Sequence, residues 1–153
     1  MFSQTTEYAL RAMALLAYEP GELVPTPTIA SETKVPATYL AKVLQMLANA
    51  ELITGKRGVG GGYRLTRPAD QVSLLEVIDA VAPIRRINVC PLGLTDHGSN
   101  LCPLHRKMDQ AAKMMIDHFS GVMLADLINQ KDGSKPLCDK AKAAKLTVSV
   151  GKK

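Results

Sequence analysis

Between Lys34 and Arg67 the chain gathers six cations, Lys34, Lys42, Lys56, Arg57, Arg64 and Arg67, against one acid, Glu51. That local surplus of +5 suits the neutralisation of a row of phosphates. Side chains that can read base edges stand among the cations. Gln45 offers a donor and an acceptor of the kind adenine matches, and Lys42 suits guanine or a phosphate. Thr38 shares their spacing, and Tyr39 beside it suits a phosphate. A second set of reactive groups is the three cysteines, Cys90, Cys102 and Cys138. Their odd number argues against a disulfide framework and leaves thiolate chemistry or metal ligation.

The elements that must position the first set follow from periodicity. Leu40, Val43, Leu44 and Leu47 recur at helical spacing, which turns Thr38, Ala41, Lys42 and Gln45 to the other face. Ile53 and Leu65 anchor two strands joined by a turn from Lys56 to Tyr63, with Arg57 at its start. Glycines at 58 and 60 to 62 permit turn dihedrals closed to other residues and let backbone approach backbone. A helix, then a glycine-tipped hairpin, is the layout of a winged helix-turn-helix. The helix suits a major groove, and Arg57, with Gly58 and Gly60, suits the neighbouring minor groove or backbone.

The flanking chain completes a mainly α-helical fold with one small β-hairpin. Thr5 or Thr6 is expected to cap a first helix reaching about Tyr18, with Glu7 in its first turn. Leu10, Met13 and Ala17, flanked by Ala9, Ala12 and Leu16, form its apolar stripe, and Pro20-Gly21 stops it. Thr26-Pro27 opens a short helix to about Thr33, and after a tight turn the basic helix runs from Pro36 to near Ala50. Ser73 and Glu76 have capping-box spacing and open a helix with Leu74, Val77, Ile78 and Val81 inward. Residues 88 to 103 break all periodicity. From near Pro103 a long helix places Leu104, Met108, Ala111, Met115 and Val122 close to a heptad seam, with His118 or Phe119 filling the gap. Arg106, Lys107, Asp109, Lys113 and Asp117 form its charged outer face. Because the winged head has a core of its own, the seam is expected to be shared between two chains. Leu124 to Ile128 makes a short last helix.

Charge is distributed unevenly. Residues 1–33 sum to −3 and residues 68–130 to −2, so the overall +5 comes from residues 131–153, where seven lysines face two aspartates. This lysine- and alanine-rich tail shows no burial pattern and is expected to be mobile. At 153 residues the chain fits one domain with an appended dimerisation element. With no leader pattern and no apolar run of membrane-spanning length, a cytoplasmic protein is expected. Enzymatic function finds little support. The run from Gly58 to Tyr63 fails the dinucleotide fingerprint because Tyr63 stands where the last glycine is required. No Gly-Lys-Ser/Thr follows it, and no serine–histidine–acid set or carboxylate pair stands out.

The chain resembles the bacterial transcription regulators that include IscR and NsrR, over roughly residues 1 to 130. The resemblance rests on Glu7-Tyr8-Ala9-Leu10-Arg11-Ala12, Tyr39-Leu40, and Arg57-Gly58 with Gly60-Gly61-Gly62-Tyr63, followed by a cysteine-bearing loop and a long helix. It implies a homodimer binding double-stranded DNA at palindromic operators, here expected to repress. It also implies the division 1–83 winged head, 84–103 sensor loop, 104–130 dimerisation helix with the short last helix, and 131–153 tail. Relatives often hold a 2Fe–2S cluster in the loop and sense redox, iron or nitric oxide through it. Matched residue by residue, Cys90 and Cys102 occupy the outer cysteine positions, and the middle one falls at Asp96. His105 stands where one subtype uses a histidine ligand, and Glu7 where others use a carboxylate from the second subunit. Asp96, His97 and Cys138 are substitute ligands. The alternative is a cofactor-free regulator gated by thiol oxidation at Cys90 and Cys102, by a small molecule or by a protein partner.

Overall fold

In the computed structural model, residues 2–93, 100–129 and 136–137 are described. Helix α1 (Gln4–Tyr18) starts earlier than the threonines suggested, because Ser3 is its cap: Ser3 Oγ accepts from the Thr6 amide at 3.1 Å. Thr6 is thereby inside the helix and buried, its hydroxyl 2.9 Å from Ser3 Oγ. Tyr8, Ala9, Ala12, Met13, Leu16 and Ala17 bury the inner face of α1, which packs against the helices that follow. Leu10, assigned to the stripe, is half-buried.

Pro25 precedes α2 (Thr26–Thr33), and Pro27 sits in its first turn, where a missing N–H costs nothing. The turn into α3 (Ala37–Asn49) passes through Lys34 in the left-handed conformation. Leu40, Val43, Leu44 and Leu47 of α3 are buried, as their spacing predicts. At its C-terminus the Leu52 amide donates to the Leu47 carbonyl and the Glu51 amide to that of Ala48, both at 3.0 Å. This is a Schellman closure, and Glu51 holds the left-handed position usually given to glycine.

The wing is an antiparallel pair, β1 (Ile53–Lys56) and β2 (Gly62–Leu65), with Ile53 opposite Leu65 and Lys56 opposite Gly62. A third partner was not visible in the sequence: Val24 and Tyr63 exchange backbone hydrogen bonds of 2.9 Å. Gly62 makes this possible, since a Cβ there would lie 2.3 Å from the Val24 carbonyl oxygen.

The capping box of α4 (Leu74–Val81) forms: Ser73 Oγ accepts from the Glu76 amide, and Glu76 Oε2 accepts from the Ser73 amide at 2.8 Å. Arg67 Nη2 donates to Glu76 Oε1 at 2.8 Å and ties the end of the wing to this cap. Burial raises the Glu76 carboxyl pKa, but the bonds from Arg67 and Ser73 outweigh it and hold it below the usual range. Helix α5 (Pro103–Ser120) carries no buried residue, whereas Leu124 of α6 (Leu124–Ile128) is fully buried in the head's core. Leu74 to Val122 and Leu124 to Val72, each 2.9 Å, fasten that return. Among the described residues no helix is long and apolar enough to cross a membrane.

Candidate nucleic-acid interface and cysteine loop

Thr38, Lys42 and Gln45 lie at i, i+4 and i+7 of α3, all exposed, on the side opposite its buried leucines. Tyr39 is exposed as well, but its ring packs edge-on against Tyr8 with centroids 5.7 Å apart. Tyr8 is also covered by Arg11, whose guanidinium lies 5.7 Å from the ring centroid and donates to the Thr33 carbonyl at 3.2 Å. The start of α3 is thus braced on α1 by two rings and a cation.

Arg57 is exposed where the chain leaves β1, and Gly58 and Gly60 both adopt positive φ, 91° and 68°. The turn is closed by the Gly61 amide donating to the Gly58 carbonyl at 3.0 Å. Val59, which the sequence did not single out, is fully exposed at this tip. The wing and the start of α2 border an open cleft of about 530 Å³ lined by Thr26, Lys56, Arg57 and Tyr63 among others. One basic helix and one basic narrow hairpin therefore share the chain's positive segment, the arrangement a duplex requires.

The cysteine loop is only partly convergent. Cys102 stands at the residue before α5, and one helical turn on, His105 Nδ1 lies 3.3 Å from Cys102 Sγ. Cys90 is buried, and both cysteines are free. Glu7 is exposed and paired with Arg11 on its own helix. Asp96, His97 and Cys138 lie outside the described residues. Among the described residues no three of histidine, cysteine, aspartate and glutamate are grouped to hold a metal.

The sequence model of the Rrf2 family, iron-dependent transcriptional regulators, matches residues 2–130. The chain belongs to the Rrf2 family. A protein of Aquifex aeolicus carrying the name of an HTH-type transcriptional regulator is 30% identical over 132 residues, covering 84% of this chain and 92% of its own. Among solved structures, CymR of Staphylococcus aureus is similar at 25% identity with a TM-score of 0.67, covering 86% of this chain and 100% of its own. CymR of B. subtilis, described as the global cysteine regulator, has 24% identity and a TM-score of 0.70, over 86% of this chain and 98% of its own. IscR of T. potens has 20% identity and a TM-score of 0.69, over 87% and 93%. The last two likenesses establish the shared winged-helix fold. Rrf2 members are transcriptional regulators and not enzymes.

Membership of the Rrf2 family raises the question of an iron–sulfur cluster, and the described donors of this chain do not by themselves assemble one. Cys102 and His105 form a two-donor pair. A ligating Glu7 would have to leave Arg11.

Sequence reasoning also missed a contact of α5. Asp109, placed on the charged outer face, instead turns inward. Its carboxylate accepts from Arg86 Nε and Nη2, both at 2.6 Å, and from the Ile87 amide at 2.9 Å. This corrects the outer face: a bidentate ion pair with a backbone donor outcompetes solvent, and it clamps the entry of the cysteine loop to α5.

Proposed function

We propose that the chain is a homodimeric repressor that reads a palindromic operator with α3 in the major groove and the wing at the minor groove. The exposed line Thr38, Lys42 and Gln45 beside the basic hairpin tip carries the proposal. Thr38, Lys42 and Gln45 meet base edges or phosphates, Tyr39 a phosphate, and Arg57 the minor groove, with Gly58 and Gly60 letting the tip approach the backbone. The unburied apolar side of α5, with Leu104, Met108 and Met114 exposed, supports pairing of two chains along that helix. Selection of binding sites from random duplexes tests this. Two inverted half-sites about one turn apart, ~34 Å, are expected; a single unrepeated site would contradict the dimeric mode.

The loop between α4 and α5 is the sensing element in this proposal, because Arg86, Asp109 and Cys102 link it directly to the pairing helix. Its chemistry is thiol-based: hydrogen peroxide takes two electrons and two protons from Cys90 and Cys102, forming one disulfide and two waters. The second reading is a 2Fe–2S cluster using Cys102, His105 and Cys90, with Glu7 supplied by the second subunit. The ready Cys102–His105 pair favours it. Anaerobically purified protein decides between them: colourless and iron-free for the first, coloured with bound iron for the second.

A further inference from the structure

The cleft between the wing and the start of α2 is lined without a carboxylate. Ala48, in the last turn of α3, borders it on one side, and the wing residues Gly55 to Gly58 and Gly61 to Tyr63 border it on the other. The Tyr63 ring lies over Gly55, where a Cβ would fall 2.8 Å from the ring, so glycine leaves room for the ring in this wall. Thr26, Lys56, Arg57 and Tyr63 bring the side-chain donors of the lining. Among the described residues, none of the four donates a side-chain hydrogen bond to the protein. The next two cations along the chain are engaged instead. Arg64 donates to the Gly21 carbonyl at 3.4 Å, and Arg67 to Glu76 Oε1 at 2.8 Å and the Gln71 carbonyl at 3.0 Å. Four free donors around a cleft without acids suit an anion.

We propose that this cleft seats one backbone phosphate of the duplex, held by Lys56, Thr26 and Tyr63, and so sets the register between α3 and the wing. The proposal rests on the duplex-binding reading above. A helix in the major groove and a tip in the adjacent minor groove straddle one sugar–phosphate strand. The cleft lies between those two elements, so that strand crosses it. Lys56 brings the charge, and the Thr26 and Tyr63 hydroxyls donate to the phosphate oxygens that Lys56 leaves open. Arg57, at the rim, is left for the groove beyond. A phosphate contact reads no sequence, but it fixes where the base-reading side chains fall. Thr26, Lys56 and Tyr63 are therefore positioning residues for Thr38, Lys42 and Gln45.

The test pairs variants of the full chain with operator duplexes that carry one neutral methylphosphonate at successive positions of the strand between the two grooves. At one position the replacement should weaken binding by the unmodified chain about tenfold. The same replacement should cost Lys56→Gln little, because its charged partner is already gone. Lys56→Gln should also have a slope of log affinity against log salt shallower by about 0.9 per bound chain. Thr26→Val removes a donor but no charge, so it should weaken binding, keep the slope and reduce the penalty of that methylphosphonate. Equal penalties in the unmodified chain and Lys56→Gln at every position overturn the seat and leave the winged reader intact. An equal loss of slope in Arg64→Gln makes the effect one of general charge and also overturns it. Inorganic phosphate, titrated at constant ionic strength without duplex, should leave the thermal midpoints of the unmodified chain and Lys56→Gln equally placed. A midpoint raised only in the unmodified chain assigns the cleft to a free phosphate and overturns the duplex seat. An unmodified chain with no affinity for any duplex would remove the reader and the seat together.

Discussion

Arg57 illustrates how much a single side chain depends on its neighbours. A guanidinium reaches into a minor groove only from a narrow tip, and a Cβ at Gly61 would fall 2.2 Å from the Lys56 carbonyl oxygen, so only glycine closes this turn. Replacing Arg57 by alanine should weaken operator binding tenfold or more, equivalent to about 1.4 kcal/mol, and relax preference on the wing side. Unchanged gel-shift affinity at moderate salt would take Arg57 out of the interface. For Lys42→Ala, a phosphate role predicts equal loss on every sequence and a salt slope shallower by about 0.9; loss confined to the operator would make it a base reader instead. Glu51 gives a prediction about stability. It holds φ 58° in the closure of α3, a conformation that costs a non-glycine residue roughly 1 kcal/mol. Glycine relieves that strain but adds freedom to the unfolded chain. Glu51→Gly should therefore raise stability by about 0.5 kcal/mol, read as a higher denaturant midpoint; a lower midpoint would show that the strain is not there.

At the scale of elements, what the sequence made legible was local. The buried stripe of α3, the Ser73–Glu76 box and the strand ends at Ile53 and Leu65 all depend on residues within a few positions or on a short hairpin. Cys102 and His105 were brought together by the family resemblance, and their separation by one helical turn is what lets them meet. Val24 against Tyr63, and Arg86 against Asp109, join residues far apart in the chain, and no periodicity encodes them. Ser3 was missed because three neighbouring hydroxyls compete for one cap, and burial of Thr6 decides among them. The Asp109 clamp has a pH dependence of its own. The Arg86 guanidinium and the Ile87 amide hold its carboxyl at about 2, below the ordinary 3.8. A depressed carboxylate adds stability that is complete above the unfolded value and is lost as pH falls through the folded one. The Ile87 amide should therefore exchange slowly above about pH 4 and lose protection progressively toward pH 2. Asp109→Asn should remove that protection at neutral pH. Equal protection in the variant would mean that the clamp does not hold the loop.

Over the whole molecule, a neutral body of 130 residues presents one positive segment at the helix and wing, bounded by negative stretches on either side. Such segregation orients the reading face toward a polyanion more than overall charge could. In the proposed dimer the exposed apolar side of α5 serves the same plan, holding two reading heads a fixed distance apart. Leu104→Glu with Met108→Glu should shift the chain from dimer to monomer in sedimentation equilibrium and cost more affinity on a palindrome than on one half-site. Equal losses on both would separate pairing from reading. The central test is titration of the unmodified chain with a duplex across a salt series. Affinity that falls steeply and linearly with log salt, and that Arg57→Ala weakens, is expected. A flat, weak response that Arg57→Ala leaves unchanged would contradict the assignment of α3 and the wing as a duplex-binding surface.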